Sequence, residues 1–235
     1  MAFNNQPDWA NYAPWKPSEY PQLDLSATKP KPKSLRIKTG PVQTAAQVAV
    51  GKPVWAGLSK RLDKKVLWRL ARNAMVVKKY GKPMVARKCI EYNDHGKHYY
   101  YKDGYAGYVP QDLRDYLLET IGVGGPKMSV LINYYEGGSR AGIGWHTDRS
   151  SNLQKGSKVY SLSFAMEEEH RSKASLGYLE FGTKGVDGEL LFPAMVALSD
   201  HSVVSWDPHL HTQKAIQHRV SKTLPRLNIT VRMMV

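Results

Sequence analysis

Cysteine is almost missing from this chain: Cys89 is the only one in 235 residues. That excludes an intramolecular disulfide framework and fits a reducing compartment. Long hydrophobic runs are missing too. No stretch approaches the ~20 consecutive apolar residues of a spanning helix, so no membrane partner is expected. The opening, "MAFNNQPDWANYAP", has neither a basic n-region nor an apolar h-region, and no secretory leader is read from it. No internal repeat is apparent. These absences predict a soluble intracellular protein of cytoplasm or nucleus, expected as a monomer. Acidic residues are scarce as well: 20 Asp and Glu stand against 34 Lys and Arg, a net charge of +14. Such an excess points to a polyanionic partner, nucleic acid first, over the plainer reading of general basicity.

What is present is unevenly spread. Seven of the fourteen prolines fall in residues 1–41, together with the run "KPKPKSLRIK". That composition predicts a flexible basic arm over 1–45, able to add salt-dependent affinity for phosphates or to act as a linker. A single folded domain is expected over 46–235. Its first part is basic: between Lys60 and Lys88 there are eleven Lys and Arg against one acid, Asp63. Leu58, Leu62, Val66, Leu70 and Ala74 recur at helical spacing, which predicts a helix over 58–79. "PQDLRDYLLETIG" predicts a second, with Pro110 before its first turn and Gly122 at its end. After Pro126 come short β-branched and aromatic runs between Gly, Pro, Asp and Ser clusters: "MSVLINYY", "KVYSLSFA", "GYLEFG", "ELLFPAMVALS", "HSVVSW" and "RLNITVRMMV". Helices followed by a run of strands imply an α+β fold, an antiparallel sandwich or jelly roll with N-terminal helices packed on it.

The last strand is unusual. In "PRLNITVR", Leu227, Ile229 and Val231 alternate with Arg226, Asn228, Thr230 and Arg232. Two arginines and an amide on one face look more like an anion site than a solvated face. Upstream, "GWHTDRSS" places His146 and Asp148 two apart on an extended backbone, where both can reach one metal. His218, in "IQHRV", offers a third ligand; His201, His209 and His211 compete with it, although the "DPHLH" histidines read as a loop. Two His and one carboxylate form the facial set of non-heme Fe(II) oxygenases, with positions open for a co-substrate and O2. Those enzymes commonly use 2-oxoglutarate, whose remote carboxylate suits a planar arginine fork. A zinc hydrolase would accept the same ligands but leaves the paired arginines unexplained.

In order, Asn133-Tyr134-Tyr135, His146-Thr147-Asp148, His218 and Arg226 to Arg232 resemble the signature of the AlkB-like Fe(II)/2-oxoglutarate dioxygenases. The resemblance covers roughly residues 85–235 and implies a double-stranded β-helix core over 126–235. By motif it implies iron held by His146, Asp148 and His218, and 2-oxoglutarate held by Arg226 at its remote end. Arg232 would sit toward the iron-bound end, and Asn133, Tyr135 and Asn228 would complete the pocket, unless Tyr135 and Asn228 serve structural hydrogen bonds.

The family also carries a substrate-gripping lid before the core. Here "RKCIEYNDHGKHYYYKDG", about 85–108, supplies Arg87, Tyr92, Tyr99 and Tyr101 in similar order. Aromatics interleaved with cations suit a flipped or single-stranded base, against the reading of these tyrosines as strand core. The sequence departs from the repair enzymes at Arg149, which stands where an acidic residue closely follows the motif. A positive Arg149 disfavours a cationic methylated base and makes a neutral one at least as plausible. The reading is therefore an oxygenase of methyl groups on nucleic-acid bases, most simply an oxidative demethylase. A 5-methylpyrimidine-type base oxidase, a protein side-chain hydroxylase or demethylase, and a non-catalytic nucleic-acid-binding module are the alternatives.

Overall fold

The protein is described from a computed structural model that covers residues 54–79, 82–94, 104–138, 141–148, 150–184, 190–213 and 215–235. The expected arm, and Tyr99, Tyr101 and Arg149, lie outside these. In chain order the elements are β1 (Val54–Gly57), α1 (Lys64–Asn73), β2 (Lys78–Lys79), β3 (Lys82–Pro83), β4 (Lys88–Asn93), α2 (Gln111–Ile121), β5 (Met128–Tyr135) and β6 (Ile143–His146). There follow β7 (Val159–Ala165), β8 (Tyr178–Lys184), β9 (Leu190–Ala197), β10 (Ser202–Trp206), α3 (Pro208–Gln213), β11 (Ile216–Val220) and β12 (Arg226–Met233).

Antiparallel pairing dominates. One sheet runs β1-β10-β7-β12-β5-β4, a second runs β6-β11-β8-β9, and β2 and β3 form a separate hairpin. From β5 onward the chain crosses between the two sheets at nearly every turn, which is the plan of a jelly roll. Residues far apart in sequence are thereby brought to one interior.

β12 shows how the sheet's two faces divide. It pairs with β5 and β7, setting Arg226 opposite Tyr135 and Asn228 opposite both Asn133 and Ser163. Its apolar set, Leu227, Ile229 and Val231, joins Val130, Ile132, Leu162 and Phe164 in the main core. Helices α1 and α2 cap that core with Leu67, Leu70, Leu113 and Leu117. Each such leucine contributes about 1.5–3 kcal/mol through burial. The polar set, Arg226 to Arg232, is buried as well, on the face turned to the second sheet. The alternation seen in the sequence is therefore not core against water. It separates an apolar core from a polar interior.

Helix α1 is shorter than its periodicity predicts. Asp63 caps it, its carboxylate accepting from the Lys65 backbone N–H at 2.7 Å. That cap starts the helix after Leu58 and Leu62, which are buried from an extended approach instead. At the other end Ala74 is extended, and the β-branched Val76 and Val77 lead into the hairpin. Helix α2 matches its expected span, with Pro110 at the N-cap and Gly122 ending it at φ 68°, a left-handed turn that glycine adopts without strain. The segment expected as a lid begins as β4, the edge strand of the first sheet. Among the described residues, no helix is long and apolar enough to cross a membrane.

Candidate functional site

The site lies between the sheets, where β12 faces β6 and β11. His146 and His218 are register partners across the β6–β11 pair, and Phe181 on β8 lies opposite His218 on its other side. The two imidazoles are 4.2 Å apart between centroids. Beside the pair, Gly142 lets the backbone just before β6 lie against β11: a Cβ there would come within 2.7 Å of the Val220 carbonyl oxygen. His146 Nδ1 lies 2.8 Å from the Gly144 carbonyl, which can only accept. The proton therefore sits on Nδ1, and Nε2 keeps its lone pair. His218 is fully buried, and burial, with His146 beside it, pushes its pKa down to about 3. Both rings are thus neutral imidazoles in the physiological range, the form that ligates metals.

Asp148 is the buried acid of the cluster. Its Oδ2 is 3.9 Å from His218 Nε2 and accepts from Trp206 Nε1 at 3.3 Å. Arg232 donates to Oδ1 from Nε at 3.1 Å and from Nη2 at 2.6 Å. Burial alone would raise the carboxyl's pKa, but the Arg232 guanidinium and the histidines outweigh it and hold it well below the usual range.

The metal-capable atoms of His146, Asp148 and His218 do not all fall within 4.8 Å of one another. Among the described residues the set that does so is Glu167, Glu169 and His170. That set sits on a surface turn where the imidazole lies 3.2 Å and 3.5 Å from the two carboxylates, an arrangement stable without an ion. Asp148 meanwhile is held by Arg232 with two hydrogen bonds. The trio's donor set, two neutral imidazoles and an ionised carboxylate, still fits a divalent transition metal.

Further along the same face of β12 is a cation of a different kind. Arg226 is 0% exposed. Its Nε donates to Thr223 Oγ1 at 2.9 Å and Nη1 to Ser163 Oγ at 3.0 Å. The guanidinium carbon stacks 4.5 Å above the Tyr135 ring. Nη2 has no hydrogen-bond partner, and no carboxylate pairs with the group, among the described residues. Burial lowers its pKa, as desolvating an uncompensated cation must. A protein that buries arginine without a counter-ion has built half of an ion pair.

The other expected residues divide. Asn133 Oδ1 accepts from Arg87 Nε at 2.7 Å, and its amide donates to Asn228 Oδ1 at 3.3 Å. Asn228 in turn donates to Ser161 Oγ and the Leu162 carbonyl, and accepts from Thr230 Oγ1. Asn228 is thus spent on tying β5, β7 and β12 together. Arg87 reaches the interior through Asn133. Tyr92, expected on a substrate face, instead packs in the helix-capped core with its hydroxyl 3.4 Å from Asn73 Nδ2. β4 alternates Cys89 and Glu91 toward one face and Ile90 and Tyr92 toward the other, so Tyr92 cannot share the side of Arg87.

Several neighbours were not singled out from the sequence. Ser161 and Ser163 were legible as small polar residues alternating in "YSLSF", but nothing local marked Trp206 or Thr223. The "DPHLH" segment is a short helix and not the loop that was expected. His211 on it is buried against Phe181 and Trp206, at centroid distances of 5.3 and 6.4 Å. Neither of its ring nitrogens has a partner among the described residues, and burial lowers its pKa from 6.5 to about 4. The unfolded chain therefore binds the extra proton first, and the folded state loses stability as pH falls from about 6.5 to 4. In the metal-free protein this loss approaches about 3 kcal/mol at the acid end. His211→Phe should remove that part of the slope, read from urea midpoints across the pH range. Parallel profiles for the two proteins would show that His211 is not the buried neutral group described.

Comparison with known proteins adds little. No family model matches the chain, and no curated protein matches it. Among solved structures, a Pseudomonas putida prolyl-4-hydroxylase is similar at 13% identity and a TM-score of 0.41, over 83% of this chain and 100% of that one.

Proposed function

We propose that this protein is an Fe(II)- and 2-oxoglutarate-dependent oxygenase of the AlkB-like kind, acting on methyl groups of nucleic-acid bases. One observation carries the reading: the buried, uncompensated Arg226 stands on the same strand face as Arg232, which holds the acid of a two-histidine, one-carboxylate cluster. A dicarboxylate co-substrate is the counter-ion that such an arginine lacks. Neither a plain metal hydrolase nor a nucleic-acid-binding module has use for it.

His146, Asp148 and His218 would hold the iron. Iron held there would activate O2, the oxidant, with 2-oxoglutarate as the second electron donor, for hydroxylation of an unactivated C–H bond. The chain supplies the rest. Arg226 pairs the remote carboxylate through its unused Nη2, with Tyr135 as the wall beneath it. Arg232 and Trp206 orient Asp148 and keep it ionised. Gly144 fixes the His146 tautomer so that Nε2 remains a ligand. Burial of Asp148 and His218 limits the water that can compete at their side of the site. Asn133 and Asn228 act as struts that set the spacing of the strands.

The choice of a nucleic-acid base rests on the net charge of +14, on the cations between Lys60 and Lys88, and on the signature residues that resemble base demethylases. Succinate formation from 2-oxoglutarate, stimulated by a methylated oligonucleotide, tests it. Stimulation by a protein substrate alone would replace the base with a side chain.

A further inference from the structure

The connection between β11 and β12 runs from Ser221 to Pro225 and joins the strand of His218 to the strand of Arg226. Thr223, at its middle, is 4% exposed. Its Oγ1 lies 2.5 Å from the Leu176 carbonyl oxygen and 3.0 Å from that of Leu224, and Arg226 Nε donates to it at 2.9 Å. A hydroxyl has one proton and two lone pairs. Carbonyls only accept, so the proton goes to Leu176 or Leu224 and the lone pairs are left to the guanidinium. Thr223 is thereby fixed as an acceptor toward Arg226.

The Leu176 carbonyl is itself held in place. It also accepts from the Leu224 N–H at 2.7 Å, while the Leu176 N–H donates to the Leu198 carbonyl at 2.5 Å and the Leu198 N–H returns to the Gly177 carbonyl at 2.8 Å. Ala165, Leu176 and Leu224 form a small buried cluster. Gly177 lets this segment close on the threonine: its φ is 151°, and a Cβ on it would stand 2.9 Å from Thr223 Cβ and 3.0 Å from Oγ1. On the guanidinium, Nε is taken by Thr223 and Nη1 by Ser163 Oγ at 3.0 Å, and Nη2 is the nitrogen left without a partner among the described residues. Two uncharged hydroxyls thus hold the cation in one orientation without neutralising it.

We infer that Thr223 is a positioning residue for the co-substrate: by accepting from Nε it fixes the roll of the Arg226 guanidinium and so aims Nη2 at the remote carboxylate. The inference rests on the function proposed above and adds what sets the geometry of its clamp. Because Thr223 stands on the chain between His218 and Arg226, the same bond ties the clamp to the strand that carries a metal ligand. Without the hydroxyl, a buried Nε–H is left unsatisfied and the planar group can turn.

The test uses the full, metal-loaded chain, with 2-oxoglutarate binding measured by calorimetry in the absence of O2 and with KM and kcat taken from succinate release. Thr223→Val keeps the shape and removes the hydroxyl, whereas Thr223→Ser keeps the hydroxyl and removes the methyl. Thr223→Val should weaken 2-oxoglutarate binding about tenfold, the scale of one hydrogen bond to a charged group, with the loss in KM and not in kcat. Thr223→Ser should stay close to the wild type. On the background of Arg226→Lys, which leaves no guanidinium to orient, Thr223→Val should cost far less than it does alone. Wild-type affinity in Thr223→Val, an equal loss in Thr223→Ser, a loss confined to kcat, or full additivity with Arg226→Lys would each overturn the inference while the proposed function stands. If Thr223→Val does not fold, Thr223→Cys takes its place: a thiol accepts only weakly, so the same loss is expected, and wild-type affinity there overturns the inference. A wild type that binds no 2-oxoglutarate overturns both.

Discussion

Arg226→Lys will raise the 2-oxoglutarate concentration needed for half-saturation by about 10- to 100-fold while leaving the net charge unchanged. Lysine keeps the cation but loses the planar fork that reaches Thr223 and Ser163 and would reach the proposed co-substrate at the same time. Hydrogen bonds between charged partners are worth about 1.5–3 kcal/mol each, which sets the scale of the loss. A single ammonium in that position must choose between the two hydroxyls and the carboxylate. Because the arginine has no counter-ion among the described residues, a dicarboxylate bound to it as proposed should also raise the melting temperature of the wild type far more than that of the variant. Direct binding measured by calorimetry separates these effects from catalysis. An unchanged affinity would remove Arg226 from the clamp.

His218→Ala will bring turnover to background, a loss of more than ~100-fold and beyond what outer-shell substitutions in metal sites usually cause. Since the ring is neutral and has no hydrogen-bond partner at Nδ1 among the described residues, its removal strands no charge. The fold should therefore survive, as checked by circular dichroism. Asp148→Ala is a poorer test. It would take away the carboxylate that Arg232 holds at 2.6 Å, and breaking a buried pair costs about 3–5 kcal/mol in stability. Inactivity there would not distinguish a lost ligand from a damaged core. Full turnover in His218→Ala, with loss in His211→Ala instead, would move the metal to the histidine stacked on Trp206.

The parts of the fold legible in the sequence are those whose residues alternate strongly. β5, β7, β10 and β12 are apolar on at least one face and bounded by turn residues, so their spans follow from local pattern. β6 and β11 do not stand out, although they carry His146 and His218. "IGWH" and "IQHRV" are short, and in β11 the buried face reads Ile216, His218, Val220, so that a histidine turned to the site interrupts the apolar pattern. The rule that finds strands by a buried apolar face weakens where a site residue breaks that face. β4 was hidden for a related reason, since Cys89, Glu91 and Asn93 are buried beside apolar Ile90 and Tyr92.

The site shows the same division. His146, Asp148, Arg226 and Arg232 could be picked out as residue types in a spacing, and the structure brings them to one interior. Their partnerships could not. That Arg232 is committed to Asp148, that Asn228 is saturated by its neighbours, and that Tyr92 turns to the core depend on register between strands far apart in sequence. Register is a tertiary property, set by which faces pack.

The most direct measurement is succinate released from labelled 2-oxoglutarate by the full chain with Fe(II), O2 and a mixed pool of methylated RNA and DNA oligonucleotides. The account predicts succinate in the wild type, stimulated by the pool, near-background release in His218→Ala, and restoration of Arg226→Lys only at high 2-oxoglutarate. Wild-type protein that is folded and iron-loaded, yet neither binds 2-oxoglutarate nor forms succinate with any oligonucleotide, would contradict it.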